Sequence, residues 1–411
     1  MTDTRPLKML ILFADYGYGH RSAALAVHTA LQHRYGDQVQ AEMVNPIDDN
    51  TAPKFLRDEQ QKYDQRVTGT PNLYRLTYEL SEKKISTTLT ENAMIVLLHE
   101  TMTRALDDIQ PDVIVTTYPL YLAPLSGIFS IKRMHYPIIT VVTDFTSVNR
   151  IWFNPISDFT TVPTEAARSI GLARGIESDQ IRMTGIPVHP RISLENRQKA
   201  EIRRELGWNP DLVTILAVGS TRVRNLKETL HVINHAGFSL QLAIVAGGDD
   251  RLYTELSQME WHHESHLYNR VNNIPTMMHA ADLILCKAGG LITSEALACG
   301  LPLLYVDVIE GQETGNAEYI VKEGAGELVT TPLEALETLC HWLDHDGEML
   351  QQKADNARRI GSPQAAFEIA DMAYHAAEQG PHPLERSIFN MERLTNLLAN
   401  FKLPEDAAQT G

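Results

Sequence analysis

The run Lys287-Ala288-Gly289-Gly290 stands between an apolar stretch, Leu283–Cys286, and a helix expected over Thr293–Cys299 that Gly300 and Pro302 stop. Two glycines ahead of a helix let a ligand approach the backbone closely. The first turn of the helix leaves N–H groups pointing outward, which is the chemistry that holds a phosphate. Gly289, Gly290, Leu291, Ile292 and Thr293 make up that amide cluster, with Thr293 and Ser294 expected to open the helix. Glu295 falls in the expected first turn. Facing the phosphate, its carboxylate would be repulsive; turned aside, it accepts hydrogen bonds from ribose hydroxyls. Gln312, Glu313 and Asn316 follow the next strand and offer hydrogen-bonding groups suited to a polyol such as a hexose.

A second glycine turn, Gly17-Tyr18-Gly19-His20-Arg21-Ser22, follows an apolar strand over 8–14 and opens a helix over Arg21–Arg34. It approaches G-x-G-x-x-G with Ser22 in the third glycine place, and Glu42 ends the next strand, so a dinucleotide site is a competing reading. Gly219-Ser220-Thr221-Arg222 follows the strand Val213–Val218; Arg222 or Arg224 is either a cation for a leaving phosphate or a solvated surface arginine.

These residues need elements to position them. Strand and helix alternate through both halves, as in doubly wound α/β sheets. Val39–Val44, Asp112–Thr117, Pro137–Thr143 and Asp158–Val162 are expected strands of a first sheet. Gln241–Val245, Leu283–Cys286 and Leu303–Val306 join Val213–Val218 in a second sheet, past a linker at Gly185–Pro190. Helices are expected over Glu195–Leu206, Pro332–His345, Ala365–Glu378 and Ser387–Phe401. Domains at 1–190 and 191–362 follow, with terminal helices over 363–411. An insertion, 53–109, is too long for a plain crossover. It interleaves Lys54, Arg57, Lys62, Arg66, Arg75, Lys83 and Lys84 with Phe55, Tyr63, Tyr74 and Tyr78, against Asp58, Glu59, Asp64, Glu79 and Glu82.

Composition sets the outer limits. A formal charge of −16 over 411 residues argues against nucleic acid as a partner. No run of about 18 apolar residues occurs, so the chain is expected to be soluble or peripheral rather than membrane-spanning. Cys286, Cys299 and Cys340 lack C-x-x-C spacing and read as small apolar residues of a reduced compartment. His262, His263 and His266 with Glu264 lack H-E-x-x-H spacing and read as surface, and no metal site is expected.

Three stretches together resemble one family. KAGGLITSEALACGLP followed by GQETGN looks like the donor signature of glycosyltransferase family 28, in the branch of the monogalactosyldiacylglycerol synthases and diacylglycerol glucosyltransferases. LILFADYGYGHRSAALAV and VTDFTSVNRIWFNPISDFTTVPTEAA resemble that branch's first turn and its Thr-Asp strand end. The resemblance implies the GT-B fold, two Rossmann-like domains facing across a cleft, with a late helix crossing back to the first. It implies inverting transfer of a hexose from a UDP-sugar, without divalent cation or other cofactor, to a lipid hydroxyl such as diacylglycerol. The lipid places the protein at the cytoplasmic face of the plasma membrane, with the insertion as the landing surface; a plain solvated helical face is the other reading of 53–109.

On that resemblance Gly19, Gly219, Ser220 and Arg222 join Gly289–Glu295 and Gln312–Asn316 in holding the donor. His20 is the expected general base, since imidazole takes a proton near neutral pH. Asp144, at a strand end, is its rival, its orienting partner, or a loop cap. Trp152 and Asn149 are expected at the acceptor, Trp152 being otherwise core. The family carries a histidine near Asn149 or Asn154, and asparagine at both places here leaves any proton transfer there without its group. Two other readings stay open: the same donor with a soluble acceptor or a 2-epimerisation of the sugar, and a protein that binds a nucleotide without turnover.

Overall fold

The computed structural model describes residues 5–16, 18–58, 60, 84–146, 148–221, 223–309, 313–384 and 398, with only the backbone for Tyr18 and for 84–90. The chain divides into two units, one of Met1–Asp144, Val148–Pro187 and Ala365–Gly411, the other of Phe145–Ser147 and Val188–Gln364.

In the first unit the strands β1 (Leu7–Leu12), β2 (Val39–Val44), β3 (Val113–Thr116), β5 (Ile138–Val141), β6 (Phe159–Val162) and β7 (Ile181–Met183) form one parallel sheet in the order β2-β1-β3-β5-β6-β7. Met134–His135 is a short β4, paired antiparallel with His382–Pro383. The central strands read as unbroken apolar runs because helices cover both faces. On one face Ala24, Val27 and Leu31 of the helix Tyr18–Tyr35 share a core with Phe367, Ile369, Ala370 and Ala373 of the helix Ala365–Gln379. The run of alanines lets that late helix seat closely, and so the chain end returns to the first sheet. On the other face Met94, Leu98, Met102 and Leu106 of the helix Lys84–Ile109 pack with Leu125, Ile128 and Phe129 of the helix Leu122–Lys132.

The second unit holds β8 (Val213–Val218), β9 (Leu240–Val245), β10 (Glu264–Tyr268), β11 (Leu283–Lys287), β12 (Leu303–Asp307) and β13 (Gly326–Leu328), parallel, in the order β10-β9-β8-β11-β12-β13. In both sheets the order reverses beside the first strand of the unit, and ligands of open α/β sheets bind outside the carboxyl ends at such a switch point. β1 leads there to His20, and β8 leads to Gly219.

Boundaries differ from expectation in ways that move site residues. The first helix begins at Tyr18, not Arg21, which puts His20 inside its first turn. The helix after β11 begins at Gly290, not Thr293, so Glu295 lies in its second turn. The expected Glu195–Leu206 is two helices, Arg191–Leu194 and Lys199–Glu205, with Glu195 between them accepting from the Arg197 amide at 3.1 Å. His266 sits half-buried on β10, against Trp208 at 6.1 Å between ring centroids, rather than in a surface loop. Of the insertion, Phe55 and Leu56 are built into the core, while most of its cations fall outside the described residues, as does Ser387–Phe401 apart from Leu398.

One glycine contact ties the second unit's loops together. Gly247, after β9, has φ +69°, and a Cβ there would stand 2.1 Å from the Gly219 carbonyl oxygen. Gly247→Ala is expected to lower stability by about 1–3 kcal/mol through that clash and the left-handed backbone. A chemical-denaturation midpoint unchanged from wild type would show that the loop yields freely.

Candidate functional site

In the second unit the site is built where β11 and β12 end. Gly289 caps the helix Gly290–Ala298 in an extended conformation, and among the described residues no side chain takes up its first amides. Those N–H groups therefore remain donors at the positive end of the helix dipole. Glu295 is half-buried and its carboxyl makes no hydrogen bond or ion pair among the described residues. Burial alone pushes it up to about 7. Helix side chains lean toward the N-terminus, so a glutamate one turn in still covers the rim of the amide cluster. Thr293 is different: it is fully buried, its hydroxyl meets the Tyr305 hydroxyl at 2.7 Å and its amide donates to the Gly289 carbonyl at 3.1 Å, so both of its donors are engaged within the protein.

Glu313 is buried and pairs with Lys287, while its second oxygen accepts from the Ile309 amide at 3.0 Å. Asn316, also buried, donates to the Ala288 carbonyl at 2.9 Å and so braces the turn from behind. Lys287 is a site residue to which the sequence assigned no role, although only Ala288 separates it from the glycines. Gln312 and Arg222 lie outside the described residues. Gly219 packs where a Cβ would meet Leu252 and Leu226 at 2.8 and 2.9 Å, and the half-buried Ser220 follows it. Arg224 closes that loop: its amide donates to Asp307 at 2.8 Å, at the end of β12.

A cavity of 1480 Å³ opens elsewhere in this unit, lined by Val213, Ser239, Asp282 and Leu301. These are the starts of strands, opposite the edge where the glycine turns lie. Its buried Arg203 is already satisfied by the carbonyls of Ala280, Pro210 and Leu212 and by Asp282. Volume here marks a groove without unmet chemistry.

In the first unit the carboxyl ends of β1, β3 and β5 gather His20, Thr117 and Thr143. The His20 Nδ1 donates to the Thr117 carbonyl at 2.6 Å, and the Thr143 hydroxyl lies 3.3 Å from the same nitrogen. The tautomer is thereby set, with the lone pair on Nε2. Burial lowers His20 to about 4, against the Thr117 carbonyl, which favours the charged ring. The imidazole is neutral at physiological pH and ready to accept a proton. Tyr118 stands edge-on to it at 5.2 Å and stacks on Tyr16 at 5.5 Å, an aromatic wall that excludes water from the ring. Gly19, one residue before, has open space where a Cβ would stand.

Asp144 does not touch His20. Its carboxylate accepts from the Trp152 indole N–H at 2.9 Å, and burial raises it to about 6 against that hydrogen bond. Trp152 is only 2% exposed, in a core with Val142, Phe153 and Val162. It is therefore core, and the expected acceptor contact is replaced by support of Asp144. Asn149 is likewise buried and its side chain accepts from the Ile151 amide at 3.1 Å. Asn154 does the same for the Ile156 amide at 3.1 Å. Both asparagines work as local caps, the turn role to which Asn is well suited.

No helix among the described residues is long and apolar enough to cross a membrane. The chain matches the family model described as monogalactosyldiacylglycerol synthase over residues 20–188, and the one described as glycosyl transferases group 1 over 198–360. It is 29% identical over 385 residues to a probable chloroplastic monogalactosyldiacylglycerol synthase of Glycine max, covering 91% of this chain and 72% of the relative. It is 29% identical over 376 residues to chloroplastic monogalactosyldiacylglycerol synthase 1 of Arabidopsis thaliana, with 89% and 70% covered. Among solved structures, MurG of Acinetobacter baumannii superposes with TM-score 0.60 at 15% identity, covering 90% of this chain and all of that one (100%). The calicheamicin glycosyltransferase CalG4 does so with TM-score 0.55 at 15% identity, over 90% and 99%. The shared fold is GT-B, with its two Rossmann-like domains.

Proposed function

On its similarity to monogalactosyldiacylglycerol synthases over most of its length, we propose that the chain is a glycosyltransferase of that branch and moves a hexose from a UDP-sugar to a lipid hydroxyl, diacylglycerol, with inversion at the anomeric carbon. The observation that carries the donor assignment is the helix start at Gly289–Gly290, uncapped among the described residues, with the Glu295 carboxyl, which has no partner among them, one turn behind it. The diphosphate rests on the amides of Gly290, Leu291 and Ile292, Glu295 takes the ribose hydroxyls, and Glu313 takes a hexose hydroxyl. His20 Nε2 removes the proton of the acceptor hydroxyl as its oxygen bonds to the anomeric carbon. The bond from that carbon to the phosphate oxygen breaks, and UDP leaves with the electron pair on the amide cluster. Those amides and the helix dipole supply the positive end that a divalent cation supplies elsewhere.

The acceptor lies in a bilayer, so the enzyme works as a peripheral protein, at the cytoplasmic face of the plasma membrane. The test is incubation with diacylglycerol vesicles and either UDP-glucose or UDP-galactose, with EDTA present. The expected product is a hexosyl-diacylglycerol of opposite anomeric configuration to the donor, identified by mass and by its anomeric proton coupling. A soluble glycoside, an epimerised UDP-sugar formed without acceptor, or a requirement for added metal would each overturn the corresponding part.

A further inference from the structure

β11 and β12 slip register immediately before Lys287: Cys286 faces Tyr305, but Lys287 faces Asp307. The extra residue on β12 re-aims the side chains at this point, as bulges beside sites do. The Lys287 ammonium then sits on Glu313, with side-chain exposures of 16% and 7%. A Cβ built on Gly289 would lie 3.3 Å from the Lys287 Nζ and 3.5 Å from the Glu313 Oε1, so the pair flanks the turn that opens the helix. A cation is thereby held at the positive end of a helix, where the dipole repels it. Among the described residues Glu313 is its one charged partner. The arrangement is poised for an anion: a phosphate at the Gly289–Gly290 amides would take the ammonium and satisfy the helix end at once.

We propose that Lys287 and Glu313 form a two-position latch that couples diphosphate binding to sugar recognition, an inference that rests on the donor assignment above. In the empty protein Lys287 occupies Glu313. When the diphosphate arrives, the ammonium turns to a phosphate oxygen, and Oε1 of Glu313 is released to accept from a hexose hydroxyl while Oε2 stays on the Ile309 amide. A free hexose finds Glu313 already taken; a hexose carried on a diphosphate brings its own key.

Calorimetric titration of UDP into wild type, Glu313→Gln and the Lys287→Met/Glu313→Gln double variant tests it. Glu313→Gln removes the competitor for the ammonium, so UDP is expected to bind about tenfold tighter, the scale of one charge-assisted hydrogen bond. The gain in affinity that the hexose gives UDP-hexose over UDP should then be lost. The double variant, which leaves no buried charge unpaired and so keeps the fold, should bind UDP more weakly than wild type. A double variant that matches wild type, or a Glu313→Gln variant that binds UDP no tighter, overturns the latch while leaving the donor site in place. Wild type that fails to bind UDP at all overturns both.

Discussion

His20→Ala is expected to lower kcat by about 10²–10⁴-fold, the range that a positioned general base contributes, with the UDP-hexose dissociation constant unchanged. The separation follows from where the groups lie. His20 belongs to the first unit and the amide cluster to the second, so removing the imidazole leaves every donor contact standing. Single-turnover rates and equilibrium titration of the same variant give the two numbers. The pH profile sharpens the assignment. The His20 ring is lowered to about 4 by burial, so the acid limb of kcat at saturating UDP-hexose, where Glu295 is already ionised in the complex, should bend near 4 rather than near the ordinary histidine value. A folded-state value below the unfolded one also means that stability is full above about 6.5 and falls as pH drops toward 4. Asp144, raised to about 6, makes the opposite claim. Were it the base, the limb would bend near 6, and His20→Ala would retain most of its rate. Because Asp144 is committed to the Trp152 indole at 2.9 Å and the His20 Nε2 has no hydrogen-bond partner among the described residues, the lower limb is expected.

What the chain discloses in sequence tracks how completely an element is buried. The central strands, β1, β3, β5, β8, β9, β11 and β12, are covered on both faces and announce themselves as apolar runs. The strands that escaped notice, β7, β10 and β13, are all sheet edges. Their sequences, IRM, ESHLY and GEL, each carry a charged residue, as edges do to avoid further pairing. Helix starts slipped for a related reason: glycine at Gly290 and Tyr18-Gly19 read as turn, whereas tertiary packing carries the helix back through them. At the site, types and order were legible but partners were not. Nothing in the sequence says that Asp144 reaches Trp152 instead of His20, or that Thr293 turns inward to Tyr305. Lys287 was legible only as a neighbour of glycines, since its role depends on a register slip between two strands that sequence does not display.

Glu295 gives the second large effect, and it is linked to protons. The carboxyl is held up at about 7 by burial alone, with no partner to favour its charged form. To accept from two ribose hydroxyls it must be ionised. UDP-hexose affinity is therefore expected to be level above pH 7 and to fall about tenfold per unit below it, with a proton released on binding at pH 6. UDP-hexose is the right probe because both phosphates are esterified and keep their charge through this range, unlike the terminal phosphate of UDP. Glu295→Ala removes two charge-assisted hydrogen bonds, about 3–5 kcal/mol together, or roughly 10²–10⁴-fold in affinity. Glu295→Gln should abolish the pH slope while keeping part of the affinity. The sign for stability runs the other way. A folded-state value raised above the unfolded one means that the empty protein loses stability as pH rises from about 4.5 through 7, because the fold must then bury a charge. Glu295→Gln should accordingly raise the Tm of the ligand-free protein at pH 8, and saturating UDP-hexose should close the gap by stabilising wild type more than the variant. A variant that loses affinity with no change in pH slope would place the titrating group elsewhere and release Glu295 from the ribose.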